Sequence, residues 1–175
     1  MVLYIHSDAS YLSEKNAKSR MGGYFFLGPM PTKDNFMPRP NAPIHIGYKL
    51  LKVIVASSFE AELGALFHNG QDGAYIRNIL EEMGHPQPPT RMVTDNLAAN
   101  NIANDIGKQK RSKAIDMRFY WVKDRVKQGQ FHIFWMPGDT NLADYWTKHH
   151  PPAHHRAMRP IIHNNGHYYF QEGTK

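Results

Sequence analysis

Residues 2–7, 22–27 and 44–55 are three short β-rich runs, and all three precede the first helical stretch. Only after them do the signals alternate. A helix starts at Ser58, a strand covers 91–94, helices cover 96–106 and 115–128, a strand covers 131–136, and a last helix covers 141–148. The order βββ-α-β-α-α-β-α is restrictive. Strands joined without a helix pair antiparallel, whereas strands separated by a helix pair parallel. The expected fold class is therefore α/β, a mixed five-stranded sheet with three antiparallel strands, then parallel ones, and helices on its faces. Residues 29–43 hold five prolines and must be a loop. Gly70 and Gly73 interrupt the first helical pattern, so a kink or two helices is expected there, and a bend near Gly47. With 175 residues and 41% hydrophobic content, the chain suits one compact domain. That domain is placed at residues 1–150. The segment 151–175, rich in Pro, His and Arg, reads as a loosely ordered tail.

The stretch SSFEAELGAL opens the first helix and carries two glutamates two residues apart. Positions i and i+2 lie about 200° apart around a helix, so Glu60 and Glu62 cannot share a face. They flank a stripe formed by Phe59, Leu63, Leu66 and Phe67. Ser57 followed three residues later by Glu60 is a capping box: the Ser oxygen takes a free backbone N–H and the Glu reaches back to the cap. Glu60 thus has a structural task, and Glu62 is left without one.

Three aspartates sit where open α/β sheets place their sites. Asp8 ends the first strand, Asp95 follows the 91–94 strand, and Asp144 begins a helix after the last strand. Glu62 could point to the same spot. Each acid alone reads equally well as a surface or capping residue, Asp95 as an N-cap above all. Together, in a chain of net charge +6 that favours a polyanionic partner, they read as a site. Converging carboxylates repel unless cations neutralise them, and all-oxygen ligands suit Mg²⁺ or Mn²⁺. Two such ions are suited to phosphodiester displacement. The chain has no cysteine, which excludes disulfides and thiolate metal sites. No run is long or apolar enough to span a membrane, and the N-terminus lacks a signal-peptide profile.

The segments SDASY, SSFEAELGAL, VTDN, KRSKAIDMRFYWVKDRV and NLADYWTK occur in that order. Over about residues 2–150 they resemble the ribonuclease H domain of copia-type LTR retrotransposon polyproteins. The resemblance implies the ribonuclease H-like fold and cleavage of the RNA strand of RNA–DNA hybrids with two Mg²⁺ ions, for which Mn²⁺ can substitute. It implies catalytic, metal-binding carboxylates at Asp8, Glu62, Asp95 and Asp144. It also implies a reverse transcriptase domain in the same polyprotein as partner, and an intracellular, virus-like-particle setting. Two departures stand out. The basic-His-Ile-Asp segment of these elements reads Lys113-Ala114-Ile115-Asp116, and MPGDTNLAD carries no histidine where cellular type 1 enzymes have one. The rival readings are an integrase-like strand transferase of the same fold and an inactive connection-type domain that only binds nucleic acid.

Further contacts to a hybrid are expected from KQKRSK, through Lys108, Lys110, Arg111 and Lys113, with a solvated loop as the alternative. Ser7, Asn96 and Asn100 lie near the acids in sequence and could bond sugar or phosphate, Asn96 equally as a helix-start residue. Asp139 reads as a turn residue. Trp121, Trp135 and Trp146 read as core or core-edge. The late histidines, His149, His150, His154, His155, His163 and His167, read as a polar tail rather than a metal site.

Overall fold

Strand β1 (Val2–Glu14) pairs antiparallel with β2 (Lys18–Gly28), and β2 pairs antiparallel with the edge strand β3 (His45–Leu50). On its other side β1 pairs parallel with β4 (Thr90–Thr94), and β4 with β5 (Phe131–Trp135). The sheet order is β3-β2-β1-β4-β5, the mixed five-stranded sheet expected from the element order. Five α-helices lie among the described residues: α1 (Ser58–Glu82), α2 (Leu97–Ala103), α3 (Asp116–Lys127), α4 (Asp144–Thr147) and α5 (Pro152–Ile162). This computed structural model describes residues 1–33, 37–104 and 116–163.

Alternation along β1 sends its side chains into two different layers. Leu3 and Ile5 join Phe25, Leu66, Met92, Val122 and Ile133 in the larger core, with α1 and α3. Val2 and Tyr4 join Tyr24, Phe26, Leu142 and Met158 on the other face. Ser7 continues the α1 side, where its hydroxyl accepts from Asn69 at 2.9 Å. His6 and Asp8 continue the opposite side. Burial pushes His6 down to about 4, so its ring is neutral near pH 7.

Two consecutive glycines in β2 let both helical layers press against the sheet. A Cβ on Gly22 would lie 2.6 Å from the Ala143 carbonyl oxygen just before α4. A Cβ on Gly23 would lie 2.8 Å from Asn69 Cγ of α1. Neither contact is sterically possible, so only glycine allows both approaches.

Several boundaries differ from the expectations. β1 does not end at Asp8 but runs to Glu14, because β2 stays paired with it beyond that point. Gly47 lies within a regular pairing, opposite Gly23, and β3 stops at Leu50. Helix α1 is continuous through Gly70 and Gly73. Those glycines serve packing: a Cβ would meet Trp121 at 2.9 Å in the first case and Ile5 at 2.6 Å in the second. The tail is the largest difference. Residues 152–162 form α5, with Met158 buried and Ile161 and Ile162 packed on the same cluster. That i, i+3, i+4 spacing is a helical face, and it outweighs the local Pro and His content.

If α5 belongs to the core, Met158→Ala should cost about 2–5 kcal/mol in urea denaturation, the range for a buried large-to-small change. A loss within about 0.5 kcal/mol would return the segment to a loose tail.

Candidate functional site

β1 pairs with β4 only from Tyr4–Arg91 to His6–Val93. Beyond it, β1 continues paired with β2 alone, and β4 gives way to the loop before α2. This is the switch point of the sheet, where the chain leaves in opposite directions from two neighbouring parallel strands, and a crevice forms there. Asp8 enters it from β1, Asp95 from the end of β4 and Glu62 from α1. One carboxylate oxygen from each of the three lies within 4.8 Å of the others.

The hydrogen bonds decide between the two glutamates. Glu62 is 5% exposed. It accepts from the Ala9 backbone N–H at 3.0 Å and from the Thr94 hydroxyl at 3.3 Å, so it is aimed at β1 and β4. Glu60 belongs to the cap. Its own N–H donates to Ser57 Oγ at 3.2 Å, and its carboxylate accepts from the Ala56 N–H at 2.8 Å, one residue earlier than a capping box requires.

Asp144 stands beside this group rather than in it. Its carboxylate pairs with the Lys148 ammonium one turn later. It is still near enough for its charge to raise both Asp8 and Asp95. The structure thus brings three of the four expected acids together and holds the fourth alongside, engaged with a cation.

Burial is the largest cause of the acids' unusual titration. It pushes Asp8 up to about 6, with Asp95 and Asp144 adding to it and the Thr147 hydroxyl bond and Lys148 opposing. Glu62 is raised well above the usual carboxylate range by burial, then by Asp8 and Asp95. Asp95 is raised by burial too, with Lys148 pulling the other way. Burial disfavours the charged form of Lys148, but its bond to Asp144 and the charges of Asp144, Asp8 and Asp95 outweigh that. A crowd of buried oxygens that resists ionisation is the donor set that a hard divalent cation stabilises. Asp8, Glu62 and Asp95 fit such an ion as placed, and Asp144 fits once Lys148 releases it.

Four supporting residues escaped the sequence reading. Thr147 is buried and donates to Asp8. Thr94 orients Glu62, and Lys148 holds Asp144. Trp135 is 45% exposed rather than core, and its indole N–H donates to the Asp95 carbonyl at 2.9 Å. Thr147 and Lys148 carried a signal: they follow Asp144 at helical spacing inside NLADYWTK. Thr94 and Trp135 carry none in sequence.

The expected nucleic-acid contacts fare less well. Ser7 is fully buried, bonded to Asn69 through its hydroxyl and to Asn141 through its carbonyl, so it is a packing residue with no surface to offer a substrate. Asn96 caps α2, accepting from the Ala99 N–H at 3.0 Å, and the N-cap reading of Asp95 passes to it. Asn100 is half-buried and bonds Asn104 and Asn101. Lys108, Lys110, Arg111 and Lys113 lie outside the described residues. Asp139 is exposed in a 3-10 turn, as expected. His150, His154 and His155 stack around Tyr145. Among the described residues, the acidic group whose ligand atoms lie close enough to share a metal ion is Asp8, Glu62 and Asp95.

No family model matches the chain. It is 27% identical over 100 residues to the retrovirus-related Pol polyprotein from transposon TNT 1-94 of Nicotiana tabacum, covering 57% of this chain and 8% of the relative. With the corresponding polyprotein from transposon RE1 of Arabidopsis thaliana it shares 26% over 149 residues, covering 83% of this chain and 9% of the relative. The chain therefore spans less than a tenth of the length of these curated relatives. The crystal structure of LC11-RNase H1 in complex with an RNA/DNA hybrid superposes with a TM-score of 0.58 at 12% identity, over 82% of this chain and 92% of that one. The fold is ribonuclease H-like. Its homologues are Pol polyproteins of plant retrotransposons, consistent with the ribonuclease H domain of a copia-type polyprotein that the motifs resemble.

The raised acids set a sign for pH dependence. Between the ordinary carboxylate value, about 4, and the folded value of Asp8, about 6, the folded chain holds a proton that the unfolded chain has released. Stability from this group therefore falls as pH rises through that window. In chelator, Asp8→Asn should gain on the parent progressively from pH 4 to 7, by at most about 3 kcal/mol. Paired thermal melts at each pH check this, and a difference that shrinks with rising pH contradicts it.

Proposed function

We propose that this chain is a metal-dependent endoribonuclease that hydrolyses the RNA strand of RNA–DNA hybrids, leaving 3′-hydroxyl and 5′-phosphate ends. The observation that supports it best is the meeting of Asp8, Glu62 and Asp95, from three separate elements, at the sheet's switch point with Asp144 alongside. Mg²⁺, or Mn²⁺ in its place, supplies an activated water and stabilises the leaving oxygen when two ions are bound. The chain's residues supply position and charge. Ala9 and Thr94 hold Glu62, Thr147 holds Asp8, and Trp135 anchors the Asp95 backbone. Lys148 must exchange Asp144 for a cation before Asp144 can serve as a ligand.

The reading extends to context. A net charge of +6 favours a nucleic-acid partner, and the LC11-RNase H1 structure holds an RNA/DNA hybrid on the same fold. The Pol relatives support a role in reverse transcription, with a reverse transcriptase domain of the same polyprotein as partner and a cytoplasmic virus-like particle as the setting. No helix among the described residues is long and apolar enough to cross a membrane. The domain extends past residue 150 to include α5, which shares its core.

With Mg²⁺ or Mn²⁺, the labelled RNA strand of a hybrid should be cut while single-stranded RNA and duplex DNA survive. Intact hybrid across a range of Mn²⁺ concentrations favours a domain that only binds. Cleavage of duplex DNA, or joining of DNA strands, favours an integrase-like enzyme.

The glutamates separate in the same gel assay. Glu62→Gln should abolish cleavage. Glu60→Ala should stay active and lose about 0.5–2 kcal/mol of stability, the scale of a helix cap. A dead Glu60→Ala beside an active Glu62→Gln reverses the assignment.

A further inference from the structure

The segment between β5 and α4 delivers Asp144, and it is anchored to the strand that carries Asp8. The Leu142 N–H donates to Nδ1 of His6 at 3.1 Å. The Asn141 side-chain amide donates to the Ser7 carbonyl at 2.8 Å, and its oxygen accepts from the Ala143 N–H at 3.2 Å. All of these groups are buried, with His6 1% and Asn141 3% exposed. His6 and Ser7 are the two residues immediately before Asp8, and Leu142 and Ala143 the two immediately before Asp144. The lock thus ties the two acids' own backbones together.

We infer that His6 is a positioning residue: its Nδ1 seats the 141–143 segment against β1 and so sets where Asp144 stands relative to Asp8. This rests on the metal-dependent reading of the site. The chemistry of the ring fits the task. Nδ1 can accept only in the tautomer that carries its proton on Nε2. That Nε2 is buried without a hydrogen-bond partner, and the ring lies edge-on to Phe26 with centroids 5.7 Å apart. A buried donor left unpaired is costly, so the residue is retained for its acceptor rather than for apolar packing. Among the described residues, His6 Nδ1 is the acceptor of the Leu142 N–H, and without it that buried amide loses its partner. Backbone amides in this position tolerate loss of a partner poorly, so the segment would shift to find another, and Asp144 would move with it. Groups that orient a ligand in this way matter to metal affinity about as much as many ligands do.

The test uses the full chain and compares His6→Phe, which keeps a ring and loses the acceptor, with His6→Asn, whose amide oxygen can replace Nδ1. Amide hydrogen exchange in metal-free protein reads the lock directly. Leu142 should exchange at least about tenfold faster in His6→Phe, the scale of one lost hydrogen bond, while Val93 in the core keeps its protection. His6→Asn should restore protection at Leu142. Calorimetric titration with Mn²⁺ reads the consequence. His6→Phe should bind Mn²⁺ about 10–100-fold more weakly, and His6→Asn should recover most of that affinity. The effect must run through Asp144, so His6→Phe with Asp144→Asn should bind Mn²⁺ no more weakly than Asp144→Asn alone. Additive losses, unchanged Mn²⁺ affinity in His6→Phe, or an unchanged Leu142 exchange rate would overturn the assignment. If His6→Phe does not fold, His6→Leu, which also lacks the acceptor, is held to the same outcomes. Failure of the nuclease reading is separately visible: the parent would then leave hybrid uncut, while exchange and Mn²⁺ binding would still judge the lock.

Discussion

Two helical layers press on one strand at neighbouring residues, and the site exists because they can. Side chains in a strand alternate between faces, so Gly22 and Gly23 present their missing Cβ atoms to opposite sides of the sheet. On one side the carbonyl before α4 fills the space, and on the other Asn69 of α1. Asn69 is fully buried there, bonding Ser7 and the Gly22 carbonyl. Gly22 is also the antiparallel partner of Asp8. The bare backbone opposite Asp8 lets α4 settle close enough for Thr147 to reach its carboxylate. Glu62 arrives from the other layer on α1. The acids therefore come from both faces of the sheet and meet only where β1 and β4 part company.

Electrostatics works against that arrangement in the absence of cations. Asp8 and Glu62 are buried and Asp95 is half-buried, and burial is the largest cause pushing each of them toward its neutral form. The chain offsets part of this with a single ammonium. Lys148 is held by Asp144 and feels the charges of Asp8 and Asp95 as well. The pairing explains why Asp144 stands apart from the other three. In the folded chain without metal, the Lys148 ammonium stands in for a cation beside Asp144. The polar groups that fix the acids are neutral hydroxyls and amides, which orient a carboxylate without competing for it as a second cation would.

Much of this was legible in the sequence, for identifiable reasons. The strand and helix order determined the sheet, because antiparallel and parallel pairing make different demands on the intervening chain. Ser57 and Glu60 announced the cap, which left Glu62 for the site. What stayed hidden depends on contacts between distant residues. Gly70 and Gly73 looked like helix breaks, since their use against Trp121 and Ile5 appears only once the layers are packed. Ser7, adjacent to an acid, looked available to a substrate, but strand alternation turns it to the opposite face from Asp8. In the tail, proline and histidine concealed the three residues that matter, Met158, Ile161 and Ile162, which cover Tyr4, Tyr24 and Phe26. Trp135 acts through a bond to a residue 40 positions away that no local pattern signals, and although Thr147 stands at helical spacing from Asp144, its bond to Asp8 spans 139 positions.

The same distances impose an order on the molecule's own making. Asp8 lies near the start of the chain, and the hydroxyl that holds it lies 139 residues later. β1 cannot complete its pairing with β4 until about half the chain exists, nor can β4 pair with β5 until later still. The loop closures are long, and contacts of this kind form late in folding. A ribosome must therefore deliver α4, which carries Asp144 and Thr147, before Asp144 can stand beside the other three acids and Thr147 can hold Asp8. Until then the nascent segment carries the carboxylates apart, each solvated and without the neighbours that bring them to one ion. Chain order thus acts as a timer: Asp144 can join the other three acids only after α4 has been synthesised.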